Sequence, residues 1–174
     1  MSVSVHGFID ESNPTHLYNF LARYKNNPKQ LDLEEADFYG NTPLLKACYM
    51  GKGEHVRLLI RYGASLTAIN YLGQNALTLA TYAGSLDVIR LLLRYRSYSD
   101  FNKSSIVPAL CVATLRQNKK LIEFFRRFSA PEEEVQTAHG VSPAQLSQWV
   151  GIYNGSRNGH DEKPSCSGAA YKMR

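Results

Sequence analysis

The chain has 174 residues, which fits one domain or a short array of repeated units, and 44% of them are hydrophobic, enough for a real core. Twenty Lys and Arg against fifteen Asp and Glu leave a net charge of +5. That excess is too mild and too interspersed to single out an acidic protein, an anionic lipid or RNA as partner. Three cysteines, Cys48, Cys111 and Cys166, with no Cys-x-x-Cys among them, argue against a disulfide framework, a zinc ribbon or a dithiol redox site, and suggest a reducing compartment.

The opening stretch from Met1 to Asp10 lacks both a cationic start and a long apolar run, so no secretory signal is expected. No window approaches 18 apolar residues, so no transmembrane segment is expected either. The Asn-x-Ser matches at Asn102 and Asn154 would need a secretory route. The expected location is therefore cytoplasmic, nuclear or both.

The first predicted element is a helix over residues 15–24. Ser12-Asn13-Pro14 is a start signal, and Leu17, Phe20 and Leu21 follow at helical spacing. The stretch 25–36 is longer than a simple link and is expected to hold a helical turn near Leu31 to Glu35.

A repeat then takes over. Val56-Arg-Leu-Leu-Ile-Arg-Tyr62 returns as Ile89-Arg-Leu-Leu-Leu-Arg-Tyr95, 33 residues on, and again, worn, as Ile122-Glu-Phe-Phe-Arg-Arg-Phe128. A partial earlier copy, Leu17 to Tyr24, lies 38 residues before the first. The segments ahead of these phrases repeat as well. Gly40-Asn-Thr-Pro-Leu-Leu-Lys-Ala-Cys-Tyr-Met-Gly51 aligns with Gly73-Gln-Asn-Ala-Leu-Thr-Leu-Ala-Thr-Tyr-Ala-Gly84, and the third copy, Ile106 to Gln117, has lost both glycines.

Each unit reads as two short helices. Thr42-Pro43 starts the first, because a threonine oxygen can accept from free amides and proline tolerates the first helical position. Leu44, Ala47 and Cys48 face inward, and Gly51 ends it in a left-handed C-cap. A second helix is expected over 54–62, with Val56, Leu59 and Ile60 apolar, closed by Gly63. Helices this short are marginal alone, so they must stack on neighbours. The fold class is all-α.

Asp37-x-x-Gly40-x-Thr42-Pro43-Leu44, with Ala47, Gly51, Val56-x-Leu58-Leu59 and Gly63-Ala64, resembles an ankyrin repeat. The second unit matches through Gly73, Ala76-Leu77, Ala80, Gly84 and Ile89-x-Leu91-Leu92. The resemblance covers about residues 37–128 and implies an ankyrin-repeat solenoid of about three helix-turn-helix units with a helical N-cap. Residues 1–36 are then an arm and capping half-repeat, and 37–69, 70–102 and 103–130 the units. Residues 131–153 are a linker with a short C-terminal helix, and 154–174 a disordered tail of Gly, Ser, Asn and charge. Two departures stand out. Leu45, Thr78 and Cys111 occupy the place where the family usually has a turn-tying histidine. Arg96 replaces the glycine that ends the unit before it, so the loop 95–103 is expected to be reshaped. The third unit is expected to close the stack.

Beyond Phe128, Ala130-Pro-Glu-Glu-Glu134 suggests the start of a short helix with acid at its positive end. Ser142-Pro143 starts another, with an apolar face of Leu146, Trp149 and Val150 that either caps the stack or docks elsewhere.

Nothing catalytic emerges. His6, His16, His55, His139 and His160 have no metal-ligand spacing, Gly51-Lys-Gly53 is too short for a phosphate loop, and no nucleophile elbow is present. No enzyme activity, cofactor or metal is expected. What the resemblance implies instead is a concave surface of hairpin tips and exposed first-helix ends that contacts a partner protein. Here it carries Phe38, Tyr39, Asn41, Tyr49, Met50, Tyr71, Leu72, Gln74 and Tyr82, with Ser104, Ser105, Leu115 and Arg116 from the third unit. Such exposed rings suit a binding groove. The expected function is a non-catalytic protein–protein interaction module, an adaptor or inhibitor, monomeric on its own. Alternatives are a subunit held permanently in a larger complex, or a basic surface for RNA or acidic lipid built on Arg57, Arg90, Arg61, Arg94 and Arg127 with Lys119 and Lys120. Arginine stems covering helix surface are the favoured explanation of that ladder, and nucleic acid is not an expected partner.

Overall fold

A computed structural model describes residues 4–24, 31–127 and 135–155. Ten helices follow one another through these residues, and the strand content is a single isolated bridge between Ile69 and Asn75. The helices pair as antiparallel hairpins stacked in a row: α1 (His6–Asp10) with α2 (Pro14–Arg23), α3 (Pro43–Tyr49) with α4 (Gly53–Arg61), α5 (Ala76–Ala83) with α6 (Leu86–Tyr95), and α8 (Ala109–Leu115) with α9 (Lys119–Arg126). First helices pack on first helices and second on second.

The starts of α2, α3, α5 and α9 are set by side-chain caps. Asn13, Thr42, Asn75 and Asn118 each accept a backbone N–H from the opening turn of their helix, satisfying a donor the helix cannot. The first helices end where φ turns positive. Gly51 and Gly84 do this at no steric cost, at +67° and +75°. Gln117, the residue that stands in the third copy for those glycines, adopts φ +53° and ends α8 all the same, at a strain of about 1 kcal/mol.

The core is one continuous cluster through the stack. Leu44, Leu77 and Leu110 repeat in the first helices, and Val56, Ile89 and Leu59, Leu92 in the second, all buried. The place of the family's histidine divides in character. Leu45 and Cys111 are buried apolar groups, whereas Thr78 donates to the Val107 carbonyl at 3.2 Å, and its neighbour Asn75 donates to the Phe101 carbonyl at 2.6 Å. At this position the second unit is thus tied to the third by a polar bond, whereas the first unit meets the second by packing.

Five features differ from the sequence expectations or were absent from them. α1 lies outside any predicted element. It is only five residues long and is held by α3 and its turn: Lys52 Nζ donates to the carbonyls of Ile9, Asp10 and Glu11, and Lys46 pairs with the Asp10 carboxylate. The expected helical turn near Leu31 to Glu35 is not formed. Asp32 accepts the Glu34 N–H at 2.8 Å, a local bond that competes with helix. Leu33 is buried, and Glu34 accepts the Ser65 N–H.

The reshaped loop after Tyr95 holds a helix, α7 (Tyr98–Lys103), capped by Ser97 and pinned by buried Tyr98 and Phe101. The third unit does not close the stack. Its helix pair is complete, and α10 (Pro143–Gly155) packs on α8 with Pro143 and Leu146 buried. Trp149, expected on that buried face, is 55% exposed: it stands seven residues after Ser142, the same distance from the helix start as the exposed Tyr49 from Thr42 and Tyr82 from Asn75. The helix start anticipated at Ala130 to Glu134 and nearly all of the anticipated tail, 156–174, fall outside the described residues, as does 25–30.

Residues 137–141 explain why α10 docks there. Thr137 N–H donates to Val141 O, Gly140 N–H to Thr137 O, and Val141 N–H to the Thr137 hydroxyl. Asp37 to Asn41 and Asn70 to Gln74 close by the same three bonds. The chain therefore begins a fourth hairpin, whose N–H at Ala138 bonds to Ile106 O in the unit before. Gln145, Ser147 and Gln148 of α10 are exposed, where their counterparts in α3, α5 and α8 are buried.

Candidate functional site

The hairpin tips project because each is built around a carboxylate or amide that turns the backbone on itself. Asp37 accepts the N–H groups of Tyr39 and Asn41 and the Asn41 side-chain amide. Partial burial pushes its carboxyl upward, but those hydrogen bonds outweigh it and hold the group below the ordinary carboxylate range. Asn70 does the same for Leu72 and Gln74. The tips then clip together: Asn70 Nδ2 donates to Asn41 Oδ1 and Gln74 Oε1, each at 3.0 Å, and Tyr71 N–H donates to Tyr39 O at 3.1 Å.

With the turns folded inward, the flanking rings point out. Phe38 is 90% exposed and Tyr71 78%, and Tyr39 and Leu72 are also exposed. At the ends of the first helices Tyr49, Met50, Tyr82, Leu115 and Arg116 are exposed too. Tyr49 stacks on Tyr82 at 5.6 Å and 17°, and the Arg116 guanidinium lies over the other side of the row, 4.5 Å from the Tyr82 ring centre. Between this shelf and the tips runs a cleft of about 370 Å³, lined by Tyr39, Asn41, Tyr49, Asn70, Leu72, Gln74 and Leu79.

Some anticipated residues sit differently. Asn41 and Gln74 are half-buried in the amide network, and Ser104 and Ser105 are turned inward. Ser104 bridges Asn75 and the Phe101 carbonyl, while Ser105 meets Thr78 and the Val107 carbonyl. Their work is joining units. The reading of the sequence missed Ile106, 46% exposed at the third tip, and Trp149. Both had a signal: Ile106 aligns with Gly40 and Gly73, and Gly140-Val-Ser142-Pro143 echoes Gly40-Asn-Thr42-Pro43.

The opposite face is chemically quieter. Arg57 pairs with Glu54 at 3.5 Å, Arg127 with Glu123 at 2.8 Å, and Arg90 lies over Phe124 at 5.9 Å. A second cleft, of about 470 Å³, lies there among Arg57, Arg90 and Arg94, with Glu54 and Asp87 in its wall. Neither buried thiol is poised for chemistry: burial pushes Cys48 far up and Cys111 to about 11. Among the described residues no cluster of His, Cys, Asp or Glu is placed to hold a metal ion, and no helix is long and apolar enough to cross a membrane.

Comparison with known proteins agrees with this architecture. A family model described as ankyrin repeats (3 copies) matches residues 9–105. The chain is 56% identical over 119 residues to the "DNA replication inhibitor plutonium" of Drosophila melanogaster, covering 68% of each chain. It is 40% identical over 62 residues to a "putative ankyrin repeat protein" of Rickettsia bellii, covering 36% of this chain and 37% of that one. Stacked helix pairs, clipped hairpin tips and these matches together place the chain in the ankyrin-repeat family.

Proposed function

We propose that the protein is a non-catalytic binding module that holds a partner protein in the cleft between its hairpin tips and the Tyr49–Tyr82 shelf, and acts as an inhibitor by covering a site on that partner. The observation that carries this reading is the concentration of exposed large rings at the hairpin tips and first-helix ends, on tips whose backbone is locked before any partner arrives. Rigid rings lose little freedom on binding, and a preformed surface avoids the cost of ordering. Fold alone assigns a class of task and not a task. The relative from Drosophila is named for inhibition, which favours an inhibitor over a passive adaptor.

The test is capture from cell lysate by the immobilised full chain, beside the pair Tyr49→Ala and Tyr82→Ala. Loss of central aromatic anchors costs roughly 2 kcal/mol or more, about thirtyfold in affinity. The expected result is loss of the captured partner with unchanged helical circular dichroism. A partner retained at wild-type levels would remove this face from consideration.

A further inference from the structure

The first two hairpin tips share a backbone but not a charge. The arm that leads to the first, Leu31-Asp-Leu-Glu-Glu-Ala-Asp37, holds four carboxylates and no base. One repeat later, Ala64-Ser-Leu-Thr-Ala-Ile-Asn70 holds no charge at all. The turn does not need the acids. Asp32 accepts the Glu34 N–H at 2.8 Å, and Ser65 accepts the Thr67 N–H at 3.2 Å in the same way. Asp37 closes the first tip as the uncharged Asn70 closes the second.

Nor is the charge neutralised inside the fold. Asp10, Glu54 and Glu123 each pair with a lysine or arginine, whereas among the described residues Asp32, Glu34, Glu35 and Asp37 pair with none. His6 bonds to the Glu35 carbonyl, and Lys46 is taken by Asp10. Asp32 and Glu34 are exposed, and the hydrogen bonds to Asp37 keep it ionised. Four like charges within about 18 Å of chain repel one another. The arm ends in the wall of the 370 Å³ cleft, at Tyr39 and Asn41, and none of the described residues lining that cleft is basic. Arg116 lies over Tyr82, and neither lines it. Phe38, 90% exposed, meets Tyr39 edge-on at 5.5 Å, so ring faces stand beside the carboxylates.

We propose that the partner segment held in this cleft is basic, with arginines or lysines lying along the Asp32–Asp37 arm while its apolar side chains enter the cleft. This rests on the protein-binding reading above and specifies the partner's chemistry. Carboxylates accept guanidinium bonds in pairs, and the faces of Phe38 and Tyr39 attract the same cations. Leu72 and Leu79 give the cleft its apolar wall. Because the second tip carries no charge, the attraction is confined to one end and sets the direction in which the segment lies.

The probe is a fluorescein-labelled peptide of about ten residues that alternates arginine with leucine, added to the full chain. Controls replace arginine by citrulline, which keeps the shape without the charge, or by glutamate. The fourfold variant carries Asp32→Ser, Glu34→Thr, Glu35→Ala and Asp37→Asn, the second unit's own residues at those positions. A double variant, Asp32→Ser with Glu35→Ala, leaves the bonds of Glu34 and Asp37 in place. The proposal expects saturable anisotropy with the arginine peptide. It expects binding roughly tenfold weaker for citrulline, for the fourfold variant, and on raising salt from about 50 to about 300 mM. The double variant should lose about threefold. Circular dichroism checks that each variant folds; if the fourfold one does not, the double variant and the salt series decide. The proposal is overturned by absence of binding up to about 1 mM, by equal binding of either control, or by indifference to salt or to the variants. Sedimentation tests a second copy as the occupant: wild-type dimers that the fourfold variant abolishes would also overturn it. If lysate capture depends on Tyr49 and Tyr82 but not on the four acids, only the ligand chemistry falls. If capture ignores those tyrosines, the parent reading falls with it.

Discussion

The two faces of the stack use similar residues to opposite ends. On the outer face, several rings and cations are spent inward or on each other, although Tyr95 stays 57% exposed: Phe101 and Phe125 are fully buried, Arg96 lies over Phe101 at 5.5 Å, and Arg57 and Arg127 pair within their own helices. On the inner face, Phe38, Tyr39, Tyr49, Tyr71 and Tyr82 remain in water. The same chain can bury a phenylalanine completely, so the exposed rings are not a failure of packing. Stability is carried by one set of aromatics, and the other set is left available.

The largest effect that would sharpen this contrast is Phe101→Ala, which removes a fully buried ring from α7 and should cost about 3–5 kcal/mol in chemical denaturation. Tyr49→Ala and Tyr82→Ala, rings of similar size on the other face, should together cost about 1 kcal/mol, chiefly their mutual stacking. Next comes Gly40→Ala. At φ +77° an added Cβ would stand 2.8 Å from the Tyr71 backbone nitrogen, which already bonds to Tyr39 O, so about 2–3 kcal/mol and a loosened tip are expected. Gly63→Ala, at φ +95° with open space around it, should show the strain alone, about 1 kcal/mol.

A smaller effect should appear with pH. Burial, and then the charge of Lys52, hold His55 below the ordinary imidazole value, against the Phe8 backbone, Glu11 and Glu54. Between the folded and unfolded pKa values the unfolded chain binds more protons, so stability falls as pH drops below about 6.5 and levels off below the folded value. Thermal midpoints from pH 7.5 to pH 5 should show this fall, and His55→Gln should flatten it. The smallest effect belongs to the outer ladder. Arg61→Ala with Arg94→Ala should change stability by less than about 0.5 kcal/mol, since both are exposed.

How much was legible follows from how each element announces itself. The helix pairs of the first two units rest on a 33-residue recurrence with caps and glycines in place, and they form within a residue or two of expectation. α7 escaped notice because a lost glycine reads as a disrupted loop. Yet Ser97 caps Asp100 and Tyr98 and Phe101 lie one turn apart, which is a helix signal in its own right. The third unit looked worn because Gln117 stands where glycine is usual, and a non-glycine left-handed cap cannot be foreseen from type alone. The half-buried amides of Asn41 and Gln74 and the inward Ser104 and Ser105 depend on bonds between units, which pattern within one unit does not encode.

The most direct measurement sets the two faces against each other with one captured partner. Its affinity is measured by calorimetry for the wild-type chain, for Tyr49→Ala with Tyr82→Ala, and for Arg61→Ala with Arg94→Ala. Inner-face binding predicts a loss of about thirtyfold or more for the tyrosine pair and less than about threefold for the arginine pair. The reverse ranking would contradict it.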